Sequence, residues 1–246
     1  MAAKTMYLYG KNSVIERLRV SPRSIHRVFL QENVEAEQIA ALVKNAHIPI
    51  TSVSEKQLYR IKRADRLQGV VAEIDAFSYA SFEDLVDDPP QKNFSFIFLD
   101  SLNDPHNLGS IIRIAACFGG FAVVIPRRNC CEVNETVLHV ASGGENFVPV
   151  CMVHNISQAL QKAKRSDYWI VGTVMKNGDN LHSARLPFPL CLVLGSEGEG
   201  VRQGVEKLFD LRLTLPMRGA ALSFNVAMAN AIFCYEIDKQ RAQQLK

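Results

Sequence analysis

The sequence predicts an α/β fold: a mostly parallel, Rossmann-like sheet in a larger C-terminal unit, preceded by a smaller α/β unit. Three observations predict it. From Phe94 onward, short apolar runs of strand length alternate with segments of helical periodicity. The first of those runs, Phe94-Ser-Phe-Ile-Phe-Leu-Asp100, is almost continuously apolar, as a strand covered by helices on both faces must be. Between the units, residues 77–93 contain Asp87-Asp-Pro-Pro and few large apolar side chains after Leu85, which reads as a linker. The expected domains are therefore 1–76 and 94–246.

In the smaller unit, Asn12 or Ser13 is placed to cap a helix running to about Arg19. His26-Arg-Val-Phe-Leu30 is strand-like, Glu35 to Ala46 has the period of an amphipathic helix, and Ile48 to Val53 is a short strand. Ser54 caps a helix with Leu58 and Ile61 on one face, and Gly69-Val-Val-Ala-Glu-Ile74 is a further strand. In the larger unit, strand 94–100 leads to helix 107–118, strand 121–125, helix 132–141, strand 148–153 and helix 156–165. Strands 168–174 and 190–194, helix 201–209 and strand 211–215 follow, the last ended by Pro216. From about Leu222 a helical pattern places Val226, Ala229, Ile232 and Phe233 on one face. Ser223 and Asn225 lie at its first turn, where backbone N–H groups lack partners.

At 246 residues the chain can bury the core of one or two domains. A formal charge of +3 does not by itself argue for nucleic acid. Its distribution says more: residues 1–75 hold 12 Lys or Arg against 8 Asp or Glu, densest in Tyr59-Arg-Ile-Lys-Arg-Ala-Asp-Arg66. Arg60, Lys62, Arg63 and Arg66 are thus candidate phosphate contacts, with a solvated helix face as the plainer alternative. The six cysteines (117, 130, 131, 151, 191 and 234) form no C-x-x-C pair, which argues against zinc and for free thiols in a reducing compartment. No signal-peptide core and no membrane-length apolar run is present, so the expectation is a cytoplasmic protein with neither membrane nor metal partner.

In parallel sheets, ligands bind at the carboxyl ends of strands. Three strand ends carry unusual loops. After Asp100 comes Ser-Leu-Asn-Asp-Pro-His-Asn-Leu-Gly-Ser-Ile-Ile-Arg113; after Leu194 comes Gly-Ser-Glu-Gly-Glu-Gly200; after Leu215 comes Pro-Met-Arg-Gly-Ala-Ala-Leu-Ser-Phe-Asn-Val226. The first lacks G-x-G-x-x-G and the second lacks a Walker lysine, so neither a dinucleotide nor a nucleoside triphosphate is indicated. A glycine turn alone can be backbone punctuation; three such loops on one sheet edge point to a site.

Together these loops resemble the three signature motifs of the SpoU (TrmH) family of RNA ribose 2′-O-methyltransferases. Asn107-x-Gly109-x-x-x-Arg113 is similar to the first, Leu194 to Gly200 to the second, and Leu215-Pro-Met-x-Gly219 with Leu222-Ser-Phe-Asn-Val226 to the third. The resemblance covers the whole chain, since Tyr9-Gly-Lys-Asn-Ser-Val14 and Gln68-Gly-Val-Val-Ala72 look like the family's N-terminal, L30e-like RNA-binding domain. Two departures stand out: Phe224 and Ala227 replace a usual Leu and Ser, and the loop 219–222 reads Gly-Ala-Ala-Leu where the family often carries a polar residue. The chain order alone suggests an unknotted sheet; the resemblance instead implies a SPOUT-type deep trefoil knot and a homodimer with its active site near the interface.

The resemblance further implies S-adenosylmethionine as cofactor and the 2′-OH of a structured RNA as acceptor, the expectation for this chain being a guanosine of 23S ribosomal RNA. It implies Arg113, Asn107, Glu197, Ser223 and Asn225 as catalytic residues. A guanidinium is a poor base at neutral pH, so Arg113 is expected to hold the target phosphate and ease the developing alkoxide, a neighbouring phosphate taking the proton. Asn107 would either cap its helix or bind ribose. Asn225 and Ser223 would contact substrate or Arg113, and Glu197 would either tie its glycine loop or move a proton. Main-chain groups at Gly195, Leu215 and Phe224 would read the adenosine, with Met217, Leu222 and Thr173 nearby. His106 would either touch RNA or order its loop. The alternatives are a tRNA ribose methyltransferase and a non-catalytic RNA-binding relic of the same fold. A nicotinamide-dependent oxidoreductase is more distant, because its glycine fingerprint is missing.

Overall fold

The computed structural model describes residues 5–87, 94–196, 198, 200–219 and 222–244. Its smaller unit runs β1 (Thr5–Tyr9), α1 (Lys11–Val20), β2 (Ile25–Gln31), α2 (Glu37–Asn45), β3 (Ile50–Val53), α3 (Glu55–Ile61) and β4 (Val70–Asp75). The sheet order is β1-β4-β2-β3; β4 is antiparallel to both its neighbours, and β2 and β3 are parallel. Neither Asn12 nor Ser13 caps α1; the chain enters that helix through Gly10, which has φ 90°. Ser54 does cap α3, in a full capping box with Gln57.

The stretch expected to be a linker contains α4 (Phe82–Asp87). Phe82 and Val86 are buried there, and Phe82 sits edge-on to the rings of Phe96 and Phe98. The acidic residues mask a short helix whose apolar face is only Phe82, Leu85 and Val86.

The larger unit runs β5 (Ser95–Leu99), α5 (Pro105–Phe118), β6 (Phe121–Pro126), α6 (Glu135–Ala141), β7 (Val150–Val153), α7 (Ile156–Arg165) and β8 (Trp169–Thr173). It continues with β9 (Asp179–Asn180), β10 (Leu190–Leu194), α8 (Gln203–Glu206), β11 (Leu211–Thr214) and α9 (Val226–Gln244). The sheet order is β7-β6-β5-β10-β8-β11-β9 with every pairing parallel, which meets the expected fold class. The two-residue β9 was not foreseen. The helix expected over 201–209 is a single turn, 203–206, and α9 begins at Val226 rather than near Leu222.

Side chains alternate across this sheet with period two. Ile97, Leu99, Val123 and Ile125 join the cluster under α5, α6 and α9; Phe96, Phe98, Ala122 and Val124 join the opposite one, under α4, α7 and α8. The first cluster runs on without a break into Leu8, Val14 and Ile74 of the smaller unit. Polar contacts cross the same seam. Arg17 pairs with Glu145 at 3.1 Å, His139 Nδ1 lies 3.0 Å from the Tyr9 carbonyl oxygen, and the Tyr79 hydroxyl accepts from Val133 N–H at 2.9 Å.

Candidate active site

The three loops leave the carboxyl ends of β5, β10 and β11, and the topology brings those ends to one edge. β10 pairs with β5 on one side and β8 on the other; β11 is next beyond β8. A cleft of about 400 Å³ opens over β10, β8 and β11, within the range for small-molecule sites. Gly195, Leu215, Met217, Phe224, Ser223 and Thr173 line it. Met217 and Phe224 expose 41% and 45% of their surface, so its apolar wall faces solvent. Thr173 is tied down: its hydroxyl donates to the Val193 carbonyl at 3.1 Å. Leu222 is 73% exposed and does not line the cleft.

The first and third loops meet through two asparagines. Asn225 Oδ1 accepts from Ala227 N–H at 2.9 Å, capping the first turn of α9, and this fixes which way its amide points. Its Nδ2 then donates to Asn107 Oδ1 at 2.9 Å. Asn107 is therefore not the cap of α5. Asp104 is, accepting from His106 N–H at 2.8 Å with Pro105 at the first helical position. Asn107, one residue further in, is left to face Asn225. His106 is exposed beside it.

Arg113 lies further along α5, exposed, and makes no hydrogen bond or ion pair among the described residues. It does not line the cleft. Gly109 has a packing role: a Cβ there would come within 2.7 Å of Val140 Cβ and 2.8 Å of the Val137 carbonyl, so only glycine lets α5 and α6 touch. Glu197 lies outside the described residues.

The second loop closes on itself. Ser196 and Gly200 exchange backbone hydrogen bonds of 3.1 and 3.0 Å. Gly195 packs so tightly under this turn that a Cβ would fall 2.1 Å from the Gly200 carbonyl carbon. A residue that sequence reasoning missed holds the turn in place. Asp100, at the end of β5, has a fully buried carboxylate that accepts from Arg202 Nε at 2.8 Å and from Arg202 N–H at 2.9 Å. Asp100 raises the Arg202 guanidinium above its ordinary range, chiefly through that hydrogen bond. The backbone reinforces the tie, Asp100 N–H donating to Leu194 O at 2.8 Å.

Of the basic run, Arg60, Arg63 and Arg66 are exposed. Lys62 is not free for phosphate: its ammonium pairs with Glu135 of α6 and lies 5.5 Å from the Tyr9 ring centre. All six cysteines are free thiols, and among the described residues no cluster of His, Cys, Asp or Glu could hold a metal ion. No described helix is long and apolar enough to cross a membrane.

Comparison with known proteins gives a consistent picture. Residues 94–235 match the SpoU rRNA Methylase family, and residues 7–80 match the RNA 2′-O ribose methyltransferase substrate binding family. The chain is 35% identical over 246 residues to a putative TrmH family tRNA/rRNA methyltransferase, YacO, of Bacillus subtilis, covering 98% of each. It is 32% identical to the 23S rRNA (guanosine-2′-O-)-methyltransferase RlmB of Ralstonia nicotianae, again covering 98% of each. Its fold is similar to the SpoU methyltransferase AviRb of Streptomyces viridochromogenes, solved with AdoMet. There the TM-score is 0.78 at 20% identity, covering 97% of this chain and 91% of that one.

Proposed function

The chain belongs to the SpoU rRNA Methylase family, and on that premise we propose that it transfers a methyl group from S-adenosylmethionine to the ribose 2′-OH of a guanosine in 23S ribosomal RNA. The observation that carries this reading is the junction of Asn107 with Asn225 beside a cleft walled by the second and third loops. The residues present fit the cofactor. Main-chain groups at Gly195 and Leu215 are suited to an adenine edge, and Met217 and Phe224 offer it apolar surface. When bound, the cofactor supplies an electrophilic methyl carried on a sulfonium.

The protein's part is alignment and charge stabilisation. Asn225 caps α9 and orients Asn107, which makes Asn107 a ribose contact in this reading. Arg113, exposed and unpaired among the described residues, holds the target phosphate and favours the developing alkoxide. The proton passes to a phosphate oxygen of the RNA. Ser223 contacts the substrate from the cleft wall, and Glu197 belongs to the second loop's contribution.

In the same reading, residues 1–76 present the RNA and 94–246 carry the chemistry, within a cytoplasmic homodimer whose C-terminal segment is knotted. Met228, Ile232 and Tyr235 support the dimer: they fall on one face of α9 and expose 63%, 37% and 58% of their surface. The return of α9 onto α5 after β11, which lies between β8 and β9, is compatible with the knot. Mapping 2′-O-methyl groups in total RNA from a deletion strain tests the substrate. One guanosine of 23S rRNA should lose its methyl. Loss confined to a tRNA would move the activity to that substrate, and an unchanged map would refute the reading.

A further inference from the structure

The polarity of the parallel sheet decides where the small domain is fastened. Helix α6 follows β6, so its N-terminus stands at the carboxyl edge of the sheet, the edge that carries the cleft. Glu135 is the first residue of that helix. One of its carboxylate oxygens accepts from Tyr7 N–H at 2.6 Å; the other takes Lys62. One turn along, His139 stacks on Tyr9 with ring centres 4.2 Å apart. These contacts bring the end of α3, with Arg60, Arg63 and Arg66 exposed, to the carboxyl side of the sheet.

The loop 127–134 joins β6 to α6 there and is held at three points. Arg127 N–H donates to Val153 O at 2.8 Å, Cys131 N–H to Leu102 O at 2.8 Å, and Val133 N–H to the Tyr79 hydroxyl at 2.9 Å. Leu102 belongs to the loop that leads to Asn107. On this fixed loop Arg127 and Arg128 are both exposed, and neither has an ion pair among the described residues. Two consecutive arginines concentrate positive charge on this loop, and an anion such as a phosphate neutralises it. A backbone already held in place loses little freedom when the anion arrives.

We propose that Arg127 and Arg128 continue a phosphate-binding track from Arg60, Arg63 and Arg66 to the cleft, and that Lys62 with Glu135 is the latch that keeps its two halves in register. This rests on the RNA methyltransferase reading. It replaces Lys62 as an RNA contact with Lys62 as a positioning residue.

The test uses the full-length chain, unmodified transcripts of 23S rRNA and of tRNA, and calorimetry with S-adenosylmethionine. Replacing both Arg127 and Arg128 with Ala should raise the RNA KM about tenfold or more and leave kcat within about twofold. It should make the slope of log affinity against log salt shallower by about 1.5. Cofactor affinity should not move, and the double Lys variant should recover most of the loss. Glu135→Gln removes no cation, and its amide oxygen can still accept from Tyr7. It should nonetheless raise the RNA KM several-fold with the salt slope unchanged. A double Ala variant with wild-type KM and slope overturns the track; Glu135→Gln with unchanged or lowered KM overturns the latch. A wild-type chain that binds neither transcript overturns the methyltransferase reading itself, a result distinct from either.

Discussion

Replacing Arg202 with Met should destabilise the larger unit far more than replacing Asp100 with Asn, although the two residues are partners in one ion pair. The asymmetry follows from burial. The Asp100 side chain is fully buried, whereas that of Arg202 is 48% exposed. Without the guanidinium, a carboxylate stays in the core with only Arg202 N–H for company. An orphaned buried charge costs about 3–5 kcal/mol. Without the carboxylate, Arg202 turns to water and the loss is the charged hydrogen bonds, about 1.5–3 kcal/mol. The double variant should then be more stable than Arg202→Met alone, because the buried charge is gone. For a domain of this size the larger loss lowers the melting temperature by roughly 10 °C. Calorimetric or denaturant unfolding of the three variants measures these differences. Because the pair anchors the turn 195–200, cofactor affinity should fall in the same order. Equal losses in the two single variants, or a double variant no better than Arg202→Met, would refute the reasoning.

Asn225→Ala removes both the cap of α9 and the donor to Asn107. It should cost about 1 kcal/mol of stability and a larger share of activity, whereas Asn225→Asp should restore the cap but not the donor, and so melt normally while staying impaired; melting curves beside turnover separate the two. Met228→Glu with Tyr235→Glu puts two charges on the exposed face of α9 and should yield a monomer by analytical ultracentrifugation; an intact dimer would place the interface elsewhere. Burial raises the Glu145 carboxyl above its ordinary range, against the opposing pull of Arg17. Such a group adds stability below the ordinary carboxylate pKa and loses it as pH rises through the raised folded value. The advantage of the wild type over Glu145→Gln should therefore shrink as pH rises from about 4 to neutrality, read by melting at stepped pH. A difference that grows over that range would contradict the assignment.

Much of the fold could be read because it is periodic. The nearly unbroken apolar run of β5 announced a strand covered on both faces, and Ser54 with Gln57 announced the start of α3. The Asn107–Asn225 junction was legible only as two motifs on one sheet edge. What escaped was of another kind. Asp100 and Arg202 stand 102 positions apart, and no local pattern links them. Asp104-Pro105 is a better helix start than Asn107, and the first motif begins only inside the helix that this pair opens. Lys62 looked like one more cation in a basic run; its partner Glu135 lies 73 positions away in the other domain. Gly109 belongs to the first motif, yet its lack of a side chain serves the contact of α5 with α6.

The most direct measurement is transfer of labelled methyl from S-adenosylmethionine to an unmodified 23S rRNA transcript, by the wild type and by Arg113→Ala, with cofactor affinity measured beside it. The account predicts transfer to a single guanosine 2′-OH by the wild type. It predicts a loss of about a hundredfold or more in kcat for the variant, with cofactor affinity within a few-fold of normal. Near-normal turnover by Arg113→Ala, or a wild type that holds no cofactor, would contradict it.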